Sequence, residues 1–209
     1  TIMKKYRLVI HLSQYNATAY LIDLNGQFVA EQRQPLHGTC NEELGECYDP
    51  LEIIYAVRRS IHELFQTHSL DIKSVTAISL ISEPFGLVIW DKSTGLALKP
   101  VLKFTPDRVS RILKTMHHGD NLKIYQEQLQ QQISPFSLTL HLHWLMKNYP
   151  DIAKLIQRKK VWVGGIDSWV LYNLTSSNDI YTDSSHAATT YLFNIKNCKW
   201  APFMLKEFD

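Results

Sequence analysis

Residues 165–200 read GIDSWVLYNLTSSNDIYTDSSHAATTYLFNIKNCKW, and the marks spaced along this stretch decide how the chain folds. With Gly164 in front, the marks run Gly164-Gly165-Ile166-Asp167-Ser168-Trp169, then Leu174-Thr175, then Thr182-Asp183-Ser184-Ser185-His186-Ala187. Tyr191-Leu192-Phe193 and Trp200 close the series. Chance rarely produces such an order over some three dozen residues.

Upstream of that stretch the pattern alternates between strand and helix. Tyr6 to Leu12 is apolar and β-rich, and the polar turn Ser13-Gln14-Tyr15-Asn16 ends it. Ala17 to Asp23 is a second apolar run, and Asn25-Gly26 supplies a hairpin turn into Phe28 to Arg33. A polar loop with Gly38 and Gly45 follows. Asp49 as N-cap and Pro50 at the first helical position then start a helix carrying Ile53, Ile54, Val57, Ile61, Leu64 and Phe65 at helical spacing. Val75 to Ile81 reads as a buried strand. Leu87 to Trp90, the turn from Asp91 to Gly95, and Pro100 to Phe104 read as strand, turn and strand. A helical section opens at Val109 and runs to about Gln131; Leu138 to Tyr149 is a further helix, ended by Pro150. Periodicity alone gives an α/β chain whose sheet is covered by helices.

Composition narrows the function classes. The 209 residues are 45% hydrophobic and 20% charged, enough apolar material for one sizeable core or two small ones. A formal charge of +2 gives no reason to expect nucleic acid, because such binders cluster Lys and Arg on one face. The single basic run, Gln157-Arg158-Lys159-Lys160, reads as a solvated helix end. Cys40, Cys47 and Cys198 are odd in number and form no CxxC, which argues against structural zinc and a disulfide framework and fits a cytoplasmic chain. No apolar run reaches membrane-spanning length, so no membrane is expected. Neither a Gly-x-Ser-x-Gly elbow nor a Walker loop is present. Ser184-Ser185-His186, read as neighbours on one strand or turn, cannot hold a nucleophile and base in register.

Taken in order, the marks resemble the FGGY carbohydrate kinases, the family of glycerol kinase and xylulokinase. In that family a Gly-x-x-Asp-x-Trp helix leads to a Leu-Thr turn, a Thr-Asp-x-Ser-Asn-Ala segment, a short strand and a Trp. Other segments of this chain resemble the family as well: Leu21 to Gly26, Gly45-Glu46 with Asp49-Pro50, Ala77 to Leu80, Gly86 to Val88, and Ser134-Pro135-Phe136 with Trp144-Leu145. The resemblance implies the fold: α/β, an actin-like (ribonuclease-H-like) domain whose mixed sheet is opened by a three-stranded antiparallel meander and flanked by helices. It implies that residues 1–209 are a single N-terminal actin-like domain, and that the C-terminal ATP-binding domain, which supplies the catalytic Asp, is absent from this chain. The implied reaction is transfer of the γ-phosphoryl group of ATP, with Mg²⁺, to a sugar or polyol hydroxyl. The implied partners are the sugar or polyol and either a C-terminal kinase domain or a second copy of the chain.

The resemblance also implies where chemistry should sit, and at those positions this sequence departs from the family. The family's first hairpin begins with an Asp that holds Mg²⁺ through water, and its turn uses small residues so that backbone N–H groups can approach phosphoryl oxygens. Here His11 stands at the Asp, Ser13 at the Gly and Gln14 at the first Thr. A neutral imidazole is a poor Mg²⁺ ligand, because that ion prefers oxygen. His11 is read as a buried strand-end histidine, and no protein metal site is expected. On the substrate side Glu83, Pro84 and Phe85 occupy places that carry Gln, Met and His in a xylulokinase-like member. Phe104-Thr105-Pro106-Asp107-Arg108 keeps the Arg of a Trp-x-Asp-x-Arg element. Pro106 takes the Asp place and Asp107 falls one residue late, either near the substrate or in the first turn of a helix. His186 replaces an Asn, while Asp183 is kept, to cap its turn or to face the cleft. The chain alone is expected to be inactive and to bind ATP and Mg²⁺ poorly, either as a kinase domain or as a non-catalytic relative that binds a metabolite or protein.

Overall fold

The computed structural model describes residues 4–117, 121–177 and 179–207. Its contacts cluster in two compact units, Thr1–Glu83 and Pro84–Asp209.

In the first unit β1 (Tyr6–Leu12), β2 (Asn16–Asp23) and β3 (Phe28–Pro35) form an antiparallel meander. Alternation does the work in β1, where Tyr6, Leu8, Ile10 and Leu12 are buried and the residues between them are not. The β2–β3 turn closes because Asp23 Oδ1 accepts from the N–H groups of Asn25 and Gln27, each at 2.9 Å, and Gly26 takes φ +83°. A short hairpin follows, β4 (Thr39–Asn41) with β5 (Gly45–Tyr48), where the sequence suggested only a polar loop. Strands of three and four residues show too little alternation to be read. What holds the turn is Asn41 Oδ1, which accepts from the N–H of Glu43 at 2.8 Å and of Leu44 at 3.0 Å.

Helix α1 (Pro50–Thr67) starts as the sequence predicts: Asp49 Oδ1 accepts from Leu51 N–H at 2.8 Å, and Pro50 occupies the first turn. Its apolar stripe, Ile53, Ile54, Val57, Leu64 and Phe65, is buried, and the helix lies on β2 and β3. Each such side chain contributes roughly 1.5–3 kcal/mol on burial. Strand β6 (Val75–Ser82) then runs parallel to β1, giving the mixed order β3-β2-β1-β6. The expectation of a buried strand fails here: Ile78 is 60% exposed and Ile81 56%. An apolar run signals burial only if something covers it. Helix α1 packs mainly on β2 and β3, and of β6 it is Val75 that joins the core cluster of Leu64 and Phe65.

In the second unit β7 (Gly86–Asp91) pairs antiparallel with both β8 (Val101–Lys103) and β9 (Val161–Gly165). Gly86 is required by that approach, since a Cβ there would stand 2.8 Å from Val101 Cγ1. The helices are α2 (Pro106–His117), α3 (Asn121–Leu129), α4 (Leu138–Asn148), α5 (Pro150–Gln157), α6 (Ile166–Leu174), α7 (Ser184–Thr189) and α8 (Pro202–Glu207). The two-residue strands β10 (Phe193–Asn194) and β11 (Lys199–Trp200) form a small hairpin.

Two sequence readings change here. The helical section is described as α2 up to His117 and as α3 from Asn121 to Leu129, after which Gln130 turns to φ +57°; residues 118–120 lie outside those described. Pro150 does end α4, but it also opens α5, because the first helical position needs no N–H donor. The basic run does lie at the end of a helix, with Arg158, Lys159 and Lys160 exposed after α5. Segment 184–186 belongs to helix α7 rather than to a strand or turn.

The glycine pair of the opening motif answers to packing. Trp90 and Trp169 are 0% and 1% exposed and meet edge to face, ring centroids 5.3 Å apart. A Cβ on Gly164 would sit 2.8 Å from Ser168 Cβ and 3.2 Å from the Trp90 ring. The Trp90–Trp169 pair forms one centre of the second unit; Tyr125, Leu129, Tyr191, Ala201 and Met204 form another. Among the described residues no helix is long and apolar enough to cross a membrane.

Candidate functional site

The first unit contains the loop that resemblance marks for phosphate. Its four backbone donors are all engaged. Ser13 N–H donates to Asn16 O at 3.0 Å. Tyr15 and Asn16 N–H both donate to Ser13 Oγ, at 3.2 and 3.3 Å, and Gln14 N–H donates to Glu83 Oε2 at 3.3 Å. The Tyr48 hydroxyl braces the outside of the turn by donating to Gln14 O at 3.0 Å. Ser13 thus folds the loop onto its own buried side chain. His11 sits half-buried near the end of β1, level with Thr18 of β2 and Ile81 of β6. Glu83 and Gln14 were treated as separate positions in the sequence; the fold joins them.

The second unit holds a cavity of about 370 Å³. Strand β9 and the start of α6 form one side of it, with Asp167 at the floor. Gly165 makes room there, since a Cβ would lie 2.6 Å from Asp167 Oδ1. The Asp167 carboxyl accepts from Thr182 Oγ1 at 2.7 Å, and burial is the main cause that pushes its pKa up. Next to it His186 Nδ1 is 3.1 Å from Asp183 Oδ2 and 3.9 Å from Asp167 Oδ2.

Asp183, for which the sequence left capping and facing the cleft open, makes the capping contacts. It is the N-cap of α7 and accepts from Ser185 N–H at 2.7 Å, His186 N–H at 2.9 Å and Ser185 Oγ at 2.6 Å. Partial burial pushes its carboxyl upward, but these hydrogen bonds and His186 outweigh it and hold the pKa at about 2. The ionised carboxylate only accepts, so His186 Nδ1 carries the proton of that contact.

The remaining candidates scatter. Phe85 is 6% exposed and turned into the core, while its neighbours Pro84 and Gly86 line the cavity. Asp107 sits in the first turn of α2, beside a separate hollow that Ser110, Ile133 and Pro135 help to line. Arg108 donates from Nη1 to Lys103 O and lies 5.2 Å over the Trp144 ring. Sequence reasoning missed His141, which is fully buried between α4 and the residues before α2. Its Nδ1–H donates to Ser137 O at 2.7 Å and its Nε2 accepts from Thr105 N–H at 2.9 Å, so the ring is neutral. Burial above all drives its pKa down to about 4. It also missed the Asp167–Thr182 pair. Both lie inside the quoted motif, fifteen positions apart, and only folding makes them a bond.

The family model for the FGGY family of carbohydrate kinases, N-terminal domain, matches residues 6–209. The chain belongs to this family.

Among curated relatives this FGGY domain is similar to glycerol kinase of Aquifex aeolicus, 30% identical over 164 residues, covering 77% of the chain and 32% of that protein. It is also similar to glycerol kinase of Mycoplasma capricolum, 25% identical over 207 residues, covering 99% of the chain and 41% of that protein. The chain therefore spans about two fifths, or less, of the length of these relatives. Among solved structures it matches Plasmodium falciparum glycerol kinase with ADP, at TM-score 0.85 and 22% identity over 99% of the chain and 41% of that one. It matches gluconate kinase from Lactobacillus acidophilus at TM-score 0.82 and 21% identity, over 98% and 40%. At these identities the likeness shows the fold, and the expected actin-like, mixed-sheet α/β architecture is the one found. The FGGY signature in residues 164–200 is thus largely structural: its glycines admit Trp90 and Asp167, its Asp183 caps α7, and its Trp169 fills the core.

Proposed function

We propose that the chain is the N-terminal domain of a carbohydrate kinase homologue and has no phosphoryl-transfer activity of its own. The family reaction is ATP-dependent phosphorylation of a sugar or polyol hydroxyl, and the relatives' names, glycerol kinase and gluconate kinase, indicate the substrate class. Such transfer depends on donors aimed at phosphoryl oxygens and on a metal that neutralises charge. The observation that carries the reading is the loop Ser13–Asn16. Each of its four N–H groups already has an acceptor, and at Gln14 that acceptor is the Glu83 carboxylate. A phosphate arriving there would have to displace Ser13 Oγ and approach a like charge. With His11 where the family has Asp, the residues present do not fit ATP with Mg²⁺.

The second reading is a non-catalytic relative that binds a metabolite or a protein, with a C-terminal kinase domain or a second copy as partner and a cytoplasmic setting. The Glu83 contact favours it specifically, because it supplies an internal anion where a nucleotide-using domain would leave the amide open.

A coupled ADP-release assay over pentoses, hexoses and polyols, run beside thermal melts with ATP and Mg²⁺, tests the proposal. No turnover and no rise in Tm are expected, since only a ligand that binds the native state stabilises it. Turnover that a Glu83→Gln variant leaves intact, or a rise of several degrees with ATP and Mg²⁺, would overturn the reading of the loop.

A further inference from the structure

Helix α2 carries Arg111, Ile112, Thr115 and Met116, and α4 carries His143 and Lys147. Residues four apart in sequence stand one turn above each other on a helix face, so Arg111 shares a row with Thr115, Ile112 with Met116 and His143 with Lys147. The two helices pack together, and these rows meet Tyr125 of α3 around a cavity of about 330 Å³. It shares no lining residue with the cavity over Asp167.

The inner wall of this second cavity is apolar and anchored. Tyr125 is buried in the cluster of Leu129, Tyr191, Ala201 and Met204, and Met116 packs against that cluster half-buried, as Ile112 is. The outer wall is basic, for Arg111, His143 and Lys147 are all exposed. Among the described residues none of these three has a carboxylate partner, and no Asp or Glu lines the cavity. Other cations of the same unit are engaged: Lys92 Nζ lies 3.9 Å over the Trp162 ring and Lys99 Nζ 4.7 Å over the Tyr149 ring. The Thr115 hydroxyl donates to Arg111 O at 3.0 Å, so the donors left for a ligand are the basic ones.

We propose that this cavity binds a small amphipathic acid, an apolar body ending in an oxyanion (a carboxylate or a phosphate monoester) that Arg111 and Lys147 hold. The proposal goes beyond the reading of the Ser13 loop and does not rest on it. Exposed cations by themselves are a solvated surface. Here they stand at the edge of an apolar wall, so one ligand can cover Ile112, Met116 and Tyr125 while its charged end stays beside the cations. The Arg fork and the Lys ammonium both suit an oxyanion, and an imidazole N–H of His143 adds a third donor. A volume of about 330 Å³ lies within the range of small-molecule sites. Selectivity follows from charge: a neutral alcohol of the same shape loses the ion pairs, and an amine is repelled.

Isothermal titration at low salt with hexanoate, monohexyl phosphate, 1-hexanol and hexylamine tests this, since the four share one chain and differ in the end group. At least one of the two oxyanions should bind wild type about 2- to 30-fold more tightly than 1-hexanol, the range of two exposed ion pairs. The tighter of the two names the headgroup. Hexylamine should bind most weakly, and added NaCl should weaken the oxyanions while leaving 1-hexanol unchanged. In Arg111→Gln with Lys147→Gln, both exposed positions, the preference should fall to about 1. Thr115→Trp, which blocks the cavity from its exposed side, should abolish binding of all four. The proposal is overturned if neither oxyanion binds more tightly than 1-hexanol, if hexylamine binds as well as they do, if the preference survives in the double Gln variant, or if Thr115→Trp leaves binding unchanged. None of these outcomes bears on ATP turnover, so failure here and failure of the proposed function are separable.

Discussion

Replacing His141 by Phe should make stability depend on pH in a way that reverses the order of the two proteins. His141 is neutral when folded, with a pKa of about 4 set first by burial, against an ordinary histidine value of 6.5. The folded pKa is depressed, so the unfolded chain binds more protons between the two values. Stability from the neutral ring is therefore complete above pH 6.5 and is lost as pH falls toward 4. Two and a half pKa units correspond to about 3 kcal/mol, of which about 2 are gone at pH 5. The Phe ring keeps the packing against Phe104, whose centroid is 4.8 Å away, but leaves Thr105 N–H without its acceptor. An orphaned buried donor costs about 1–3 kcal/mol at any pH. Wild type should then be the more stable by about 2 kcal/mol at pH 8, the two should meet near pH 5, and the variant should lead by about 1 kcal/mol at pH 4. Urea unfolding at 25 °C, followed by tryptophan fluorescence from pH 4 to 8, gives the difference directly. Subtracting the two curves removes the other titrating groups, including Asp167, whose raised pKa works in the opposite direction. A difference that stays constant across the range would refute the reasoning, for it would mean that His141 is not held neutral by its site.

Two further outcomes follow from the same structure. Asp183→Ala removes the N-cap of α7 and should lower stability by about 1 kcal/mol, read as a drop in Tm, whereas Asp183→Asn should recover most of it. The uncovered apolar residues of β6 should promote association of the chain with itself, and Ile78→Lys with Ile81→Lys should shift the species seen by light scattering at micromolar concentration to monomer; a wild-type chain that is already a clean monomer would count against it.

The sequence alone determined the local architecture wherever short-range chemistry is self-sufficient. Asn25-Gly26 turned the meander, Asp49-Pro50 started α1, and the period-2 alternation of β1 set which face is buried. The ordered marks from Gly164 to Trp200 were enough for the family. The same local reasoning failed where a signal had more than one physical use. Pro150 ends one helix and begins the next, and the apolar run of β6 leaves Ile78 and Ile81 exposed.

What only the tertiary structure decided is which groups are already spent. The sequence showed that the loop from Ser13 had lost its small residues. It could not show that Glu83, 69 positions after Gln14, supplies the acceptor for Gln14 N–H. It left Asp183 two roles, and the cap contacts of 2.7 and 2.9 Å appear only in the fold. It marked His186 as a replacement, but the consequence, one nitrogen paired and the other unpaired at the wall of a cavity, exists only once α7 stands beside α6. Hydrogen bonding is a short-range, saturable interaction. Whether a donor or acceptor remains for a ligand depends on every neighbour within about 3 Å, and neighbours are what folding creates.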